Sequence, residues 1–325
     1  MADALAGFIG DHTGHGASVR AVQRIPGGFS YETWRVEGDW EIAGKRGPGQ
    51  LILRKAPRGG VLEPYDVTRE FRVLQALEHT PVPAPRAYWC EPSGDLLGTP
   101  FYLMEFVEGD VPLPWSGETG AAEREAVQGQ FTDTLAALHS VDWEALGLAF
   151  LGLPANRADP AALELDRCEE VLRRIALRPY PLLHEVIHYL RARRPRCPQL
   201  ALVHDDYRMG NFVWRDGRIA AFLDWERAFI GDPMADIAFT RLGLGGWCSI
   251  TGDMTSRYEA RSGIPVDEER VAYYILLEQL KATLVGLTGL KAFAEGRTSD
   301  LRLVQIGRGA HQGILALATQ VGLTA

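Results

Sequence analysis

The sequence predicts an α+β protein with two lobes, of which the first is small and β-rich and the second is larger and mostly helical. Short β-prone runs separated by turn signals, such as Leu51–Lys55 and Phe101–Glu105, are concentrated in the first third of the chain. From residue 121 onward the apolar residues recur mainly at helical spacing. A length of 325 residues allows one large domain or two modest ones. We therefore expect a first lobe at 1–110 and a second lobe at 111–325.

Composition and charge exclude several classes of protein. Apolar residues make up 46% of the chain and charged residues 23%, which is usual for a globular enzyme. A net charge of −8 argues against nucleic-acid or anionic-membrane partners. The four cysteines are far apart, which argues against a zinc site or a disulfide framework. The start lacks the features of a signal peptide, and no apolar run reaches the roughly 18 residues of a membrane span. We expect a cytoplasmic protein.

In the first lobe, a glycine turn separates two β-prone runs. A short helix is predicted within residues 1–20, and Ile25–Val36 is then typical of a strand, a turn and a second strand. Gly27 and Gly28 allow positive φ and close approach of the backbone to a ligand, although a glycine pair alone usually marks a plain turn.

The next elements alternate between strand and helix. In Leu51–Lys55 the side chains of Ile52 and Arg54 share one face of the predicted strand, and Lys55 takes the other. Residues 65–79 have apolar positions at helical period, residues 81–85 are proline-rich and extended, and 101–109 is a strand that runs into a connector.

The second lobe is predicted to contain four helical regions. They cover residues 123–139, 161–196, 271–290 and 301–321. His139, at the end of the first, is expected to be a packed histidine. Residues 243–252 form an irregular, aromatic loop of the kind that often carries specificity.

A short zinc-like pattern occurs in the second of these regions. His184, Glu185 and His188 match H-E-x-x-H, which would place two imidazoles on one helix face. A third ligand at the usual spacing is missing, so we do not expect a zinc site.

One stretch, residues 203–236, carries the chemistry. Two apolar β-prone runs flank the hairpin signal at 215–218, so Asn211 opens a hairpin that Asp224 closes. The two side chains therefore return to one end of the hairpin, close to Asp206. Such hard oxygen donors predict a site for Mg²⁺ and phosphate.

The spacing of these residues matches a known pattern. Asp206 and Asn211 are five apart, as in the catalytic loop of protein kinases, and Asp224 stands where the D-F-G aspartate would. The segments HDDYRMGN, LDWE and GDPMAD resemble the aminoglycoside phosphotransferase and choline kinase superfamily. They are most similar to the branch related to phosphotransferase domains fused to acyl-CoA dehydrogenases, which usually has glycine in place of Asp205. The resemblance extends from Ile25 to the last helix and implies a protein-kinase-like fold.

The resemblance implies an ATP-dependent kinase that moves the γ-phosphate to the hydroxyl of a small molecule, with GTP as the alternative donor. Asp206 would be the catalytic base, and Asn211 and Asp224 would hold Mg²⁺. His204 and Asp236 would support the catalytic loop.

The resemblance also implies nucleotide-binding residues in the first lobe. Arg54 would contact phosphate and pair with Glu70, with Lys55 as the competitor if the strand slips by one residue. The other implied contacts are Gly27, Gly28 and Ser30 at the phosphates, Ile52 and Met104 around the adenine, and the backbone from Glu105 to Val107 at its edge.

Three questions stay open at this stage. A kinase-fold protein that binds nucleotide or a metabolite without turnover is the alternative function, which the complete set of Asp206, Asn211 and Asp224 disfavours. Asp205 either points away from Asp206 or repels its charge, and its position suggests an unusual φ that aspartate tolerates. The sequence does not choose between an antibiotic and a metabolite as the acceptor.

Overall fold

The first lobe is a five-stranded sheet with one helix on each face. The computed structural model describes residues 1–42, 44–113, 120–243 and 246–323. The sheet has the order β1-β2-β3-β5-β4, and its neighbouring strands are antiparallel. The elements are α1 (Ala2–Thr13), β1 (Ser18–Arg24), β2 (Glu32–Ile42), β3 (Lys45–Lys55), α2 (Val67–Leu77), β4 (Ala87–Glu91) and β5 (Phe101–Glu105).

The alternation of side chains along β3 decides what each face of the sheet does. Leu51 and Leu53 pack with Leu5 and Ile9 of α1 in a small apolar core. Ile52 and Arg54 point to the opposite face, toward α2 and the second lobe. The face that α1 leaves free is therefore available for the site.

The second lobe is mostly helical. Its strands form two small antiparallel sheets, in which β6 pairs with β9 and β7 with β8. The elements are α3 (Ala121–His139), α4 (Pro160–Ile175), α5 (Pro181–Ala192), β6 (Ala201–Val203), β7 (Phe212–Arg215), β8 (Arg218–Phe222), β9 (Phe229–Gly231), α6 (Met234–Arg241), α7 (Asp253–Ser262), α8 (Glu268–Ala294) and α9 (Leu301–Gln320).

Helix α8 is the central apolar helix of the second lobe. The side chain of Asp267 caps its start by accepting hydrogen bonds from the amides of Glu269 and Arg270. About half of its apolar residues are buried, Glu278 is buried among them, and Lys281 is partly buried. In the part of the chain that the structure describes, no helix is both long and apolar enough to cross a membrane.

The observed elements confirm the predicted α+β class and most of the predicted helices. The helical region at 161–196 is two helices, because the chain turns at 176–180 before Pro181 begins α5. Strands β4, β6 and β9 and helix α7 were not predicted. Of the predicted loop at 243–252, residues 244–245 lie outside the described residues. The division into lobes at 110 and 111 stays a prediction.

Candidate active site

The β7–β8 hairpin brings Asn211 and Asp224 to the same end. Phe212 pairs with Phe222 across the hairpin, and the Leu223 amide donates to the Asn211 carbonyl at 2.7 Å. The turn at Asp216 and Gly217 has positive φ at both residues, which suits the twist of a tight hairpin. Asn211 and Asp224 therefore flank the last paired residues of the two strands.

Asp206 is held by hydrogen bonds from two neighbours. The Nδ2 of Asn211 donates to its Oδ2 at 2.5 Å and to its carbonyl at 2.9 Å. The Nε of Arg208 donates to its Oδ1 at 2.9 Å. The Asp206 side chain keeps 19% of its surface exposed, so the oriented carboxylate can still meet a small molecule.

Asp236 supports the start of this loop. Its two carboxylate oxygens accept the amides of His204 and Asp205, each at 2.8 Å. His204 in turn bonds to the Leu223 carbonyl through Nε2 at 2.9 Å. His139 is buried as expected, and its ring nitrogens bond to Asp236 at 3.0 Å and to Tyr258 at 2.7 Å. The sequence did not indicate these partners, because they are about 100 residues or more away.

Asp205 points away from Asp206. Its φ is 66°, in the left-handed region that glycine adopts freely and aspartate tolerates. Its buried carboxylate accepts from Arg227 Nε at 3.0 Å and contacts Lys281. Burial alone would raise the pKa of Asp205, but the charges of Arg227 and Lys281 hold that pKa below its ordinary value.

Arg54 is the cation at the centre of the first-lobe residues. Its buried guanidinium lies 2.7 Å from Asp224 Oδ1 and 3.6 Å from Glu70 Oε2, both measured from Nη2. Nη1 donates to the hydroxyl of Thr33 at 3.2 Å. Burial raises the pKa of Glu70, although the Arg54 charge opposes this. The two lobes thus meet at an ion-pair cluster.

Lys55, the competing cation, lies apart from this cluster. Its Nζ is 3.5 Å from Glu32 Oε2 and makes no ion pair with Glu70 or Asp224. The structure therefore brings Arg54, and not Lys55, to the residues of the second lobe.

Glu226 joins the cluster and was given no role from the sequence. Its Oε2 lies 3.8 Å from Arg54 Nη2, and its carboxylate also interacts with Ser30. Burial raises the pKa of Glu226 to about 8, and Glu70 adds to this while the Arg54 charge opposes it. Its place two residues after Asp224 was the signal that could have found it.

The glycine turn and the connector present free backbone groups. Gly27 and Gly28 have φ of 128° and 63°, and their amides have no hydrogen-bond partner among the described residues. Within the same limits, neither the amide nor the carbonyl of Val107 has a partner, whereas the Glu105 amide donates to the Arg86 carbonyl at 2.8 Å. The Glu105 amide is thus not available to an adenine.

Ile52 and Met104 are paired across β3 and β5 on the face that carries Arg54. Both are buried, at 7% and 8% exposure. They provide an apolar patch between the connector and the ion-pair cluster, as an adenine pocket requires.

The donor chemistry of the hairpin end fits Mg²⁺. Asn211 Oδ1 has no hydrogen-bond partner in the described part of the chain, and Asp224 adds a carboxylate. Mg²⁺ is bound through one or two such hard oxygen donors plus phosphate and water. By contrast, His184, Glu185 and His188 lie on the exposed face of α5, and no group of three His, Cys, Asp or Glu residues within the described ranges could hold a metal.

Comparison with known proteins decides the family. The family described as "Phosphotransferase enzyme family" matches residues 21–274, more than three quarters of the chain. The chain belongs to this family. The resemblance seen in the motifs is thereby confirmed.

The relatives agree with the branch that the motifs indicate. Mouse "Acyl-CoA dehydrogenase family member 10" is 32% identical over 237 residues, which are 70% of this chain and 22% of that protein. The chain thus matches less than a quarter of this relative's length.

Solved structures show the same fold. A candidate aminoglycoside phosphotransferase from Ralstonia eutropha superimposes with a TM-score of 0.71 at 23% identity, covering 98% of this chain and 97% of that one. Aminoglycoside phosphotransferase APH(4)-Ia, in a ternary complex with ADP and hygromycin B, gives a TM-score of 0.58 at 16% identity, with 99% and 100% covered. The predicted kinase-like fold is therefore confirmed.

Proposed function

We propose that the chain transfers the γ-phosphate of ATP, or alternatively of GTP, to a hydroxyl of a small molecule. The main support is the meeting of Asp206, Asn211 and Asp224 at one end of a hairpin, opposite the buried guanidinium of Arg54. Membership of the phosphotransferase family supports the reaction class, and the solved ADP complex of APH(4)-Ia supports a nucleotide as donor.

Asp206 serves as the base in this proposal. Hydrogen bonds from Arg208 and Asn211 fix its carboxylate, and each oxygen keeps acceptor capacity for the hydroxyl of the acceptor. Asp206 orients that hydroxyl and accepts its proton as the bond to phosphorus forms. Because phosphate transfer has a loose transition state, alignment contributes more than proton removal.

The first lobe grips the donor. Arg54 neutralises phosphate charge, Glu70 and Glu226 hold its guanidinium, and the free amides of Gly27 and Gly28 face the phosphates. Asn211 and Asp224 hold Mg²⁺, which when bound neutralises charge on the phosphate oxygens.

The acceptor enters a cavity of about 660 Å³ next to the catalytic loop. Residues of α2, α4 and α8 and the segment 61–64 line this cavity, and Asp205 of the catalytic loop and Arg227 line it as well. A volume of this size suits a small molecule.

A thermal-shift titration with ATP and GTP, each with and without Mg²⁺, tests the donor site. A ligand that binds only the folded state raises the midpoint of unfolding, so we expect a rise that requires Mg²⁺. In the variant Asp224→Asn, we expect the Mg²⁺-dependent rise of the midpoint to be lost. A screen of hydroxylated compounds with γ-labelled ATP then identifies the acceptor.

The outcomes separate the two functions. Label on an acceptor establishes a kinase. Mg²⁺-dependent binding without any transfer, to acceptor or to water, favours a protein that binds nucleotide without turnover. The absence of any shift at millimolar nucleotide would refute the donor site.

A further inference from the structure

Asp205 departs from the motif of similar proteins, and its side chain has specific partners. It immediately precedes Asp206, it is 3% exposed, and it holds a φ of 66°. Its Oδ2 lies 2.9 Å from Arg227 Nη2 and 3.0 Å from Arg227 Nε, and its Oδ1 contacts the ammonium of Lys281. A residue that was merely tolerated in place of glycine would not need two partly buried cations around it.

These two cations belong to different parts of the second lobe. Arg227 lies three residues after Asp224, in the segment that leaves the hairpin. Lys281 lies on α8, where it also contacts Glu278 at 2.9 Å. Leu284 and Val285 of the same helix line the candidate acceptor cavity. The carboxylate of Asp205 therefore joins the catalytic loop both to the Asp224 segment and to the wall of the cavity.

Other residues of the second lobe hold the rest of the catalytic loop. Asp236 accepts the amides of His204 and Asp205, while Asn211 and Arg208 hold the Asp206 carboxylate. None of these bonds reaches α8. The ion pair between Asp205 and Lys281 joins the loop directly to this helix, and Arg227, which contacts both Asp205 and Glu278, adds an indirect link.

The charges around Asp205 are nearly balanced. Arg227 and Lys281 face Asp205 and Glu278, and Glu164 of α4 lies 3.5 Å from Lys281. Burial and the Asp205 charge raise the pKa of Glu278 to about 8, so this acid is largely neutral at pH 7. Asp205 is then the main ionised partner of both cations.

We propose that Asp205 is a positioning residue, which fixes the Asp206 carboxylate relative to the wall of the acceptor cavity through Lys281 and Arg227. The inference rests on the proposed phosphate transfer. Loss of the side chain would let the loop shift against α8, so Asp206 would align less well with the attacking oxygen. Nucleotide binding, which depends on other residues, would be unaffected.

Glycine and asparagine variants test the role without straining the backbone. Asp205→Gly adopts positive φ freely, and Asp205→Asn keeps the shape but removes the charge. Lys281→Met removes the other end of the ion pair. The probe is Mg·ATP with water as the acceptor, followed by phosphate release, and calorimetry gives the dissociation constant of Mg·ATP. The matched control is Glu144→Ala with Arg157→Met, which removes an exposed ion pair.

We expect each variant to lower kcat about tenfold or more, while the Mg·ATP dissociation constant stays within about twofold. The double variant Asp205→Gly with Lys281→Met should be no slower than the slower single variant, because both remove the same link. A wild-type kcat in Asp205→Gly and Asp205→Asn would overturn the proposal. The proposal would also be overturned if the losses of kcat multiplied in the double variant, or if they were proportional to the decreases in melting temperature of the variants.

Hydrogen exchange separates this inference from the proposed function. Amides of residues 204–211 should exchange faster in Asp205→Gly than in the wild type, and this measurement needs no turnover. Unchanged exchange overturns the link even if the enzyme is active. Faster exchange in a protein whose wild type transfers phosphate neither to water nor to any screened acceptor means that the link exists but the proposed function, and with it the catalytic role of the link, is wrong.

Discussion

Asp206 is oriented by Asn211 and Arg208, so its charge can be removed without moving the loop. Asp206→Asn keeps an oxygen for Asn211 but cannot accept a proton. We expect kcat to fall by about 10²- to 10⁴-fold, since that is the usual contribution of a general base. The Mg·ATP dissociation constant should change little. Steady-state kinetics and calorimetry check this, with Asp216→Asn on the exposed hairpin turn as the control. Near-normal turnover would show that another group is the base.

The choice between Arg54 and Lys55 is also a question about single residues. Arg54→Met removes the cation that faces Asp224 and Glu70, so we expect Mg·ATP binding to weaken about tenfold or more, which is about 1.4 kcal/mol. Lys55→Met should change binding by less than about twofold, because Lys55 pairs with Glu32 and not with Glu70 or Asp224.

Calorimetry on both variants decides between the two cations. It is done at a temperature where each is folded, because loss of Arg54 leaves buried carboxylates uncompensated. Equal weakening in both variants, or a larger effect of Lys55→Met, would mean that the assignment of the phosphate contact to Arg54 is wrong.

The sequence predicted the residues of this site better than their surroundings. The spacing of Asp206, Asn211 and Asp224 is local, so a hairpin signal was enough to bring the last two together. The alternation along β3 likewise separated Arg54 from Lys55. The place of Glu226 two residues after Asp224 was a hint, but its approach to Arg54 depends on how the lobes meet, which no local pattern encodes.

At the scale of elements, the catalytic loop depends on α6, which supplies Asp236. Asp236→Asn leaves one oxygen for two buried amides and places an NH₂ group near the other amide. We expect the free energy of unfolding to fall by about 2–4 kcal/mol, because a buried donor loses a charged acceptor. Urea unfolding measures this, and Asp253→Asn at the exposed start of α7 is the control. A loss below about 0.5 kcal/mol would mean that the loop is held by other contacts.

Long periodic elements were predictable and short ones were not. Helices α3, α8 and α9 extend over five or more turns, so their apolar period is evident in the sequence. Strands β6 and β9 have three residues each and pair with one another. Three residues are too few to show a period of two.

At the scale of the whole molecule, α2 is attached to the second lobe although it precedes the expected boundary. Glu70 Oε1 accepts the Trp225 amide at 3.0 Å, and Arg69 donates to the Ala228 carbonyl at 2.6 Å. These bonds hold Glu70, which pairs with Arg54, against the segment after Asp224. Residues so far apart in the chain give no shared signal in the sequence, so the connection between the lobes emerges only in the structure.

Glu278 links the stability of the whole molecule to pH. Its pKa is about 8 in the folded protein, chiefly because of burial, against an ordinary value of 4.5. The folded state therefore keeps a proton that the unfolded state loses above pH 4.5. It follows that this group's contribution to stability is present below that pH and is lost as the pH rises toward 8. The pKa of Asp205 is instead lowered in the folded protein. Its contribution to stability is therefore lost only as the pH falls below the ordinary pKa of 3.8, which lies outside this range.

The variant Glu278→Gln removes this titration, so its unfolding free energy should depend less on pH. The measurement is urea unfolding of wild type and variant at pH 5, 6, 7 and 8. Plotted against pH, the two unfolding free energies should differ in slope by up to about 1.4 kcal/mol per pH unit, the value for one proton. Glu170→Gln, on the exposed face of α4, should keep the wild-type slope because Glu170 is well solvated. Parallel pH profiles for wild type and Glu278→Gln would contradict a protonated Glu278. Glu278 would then be ionised beside Arg227 and Lys281, which adds one negative charge to the cluster around Asp205.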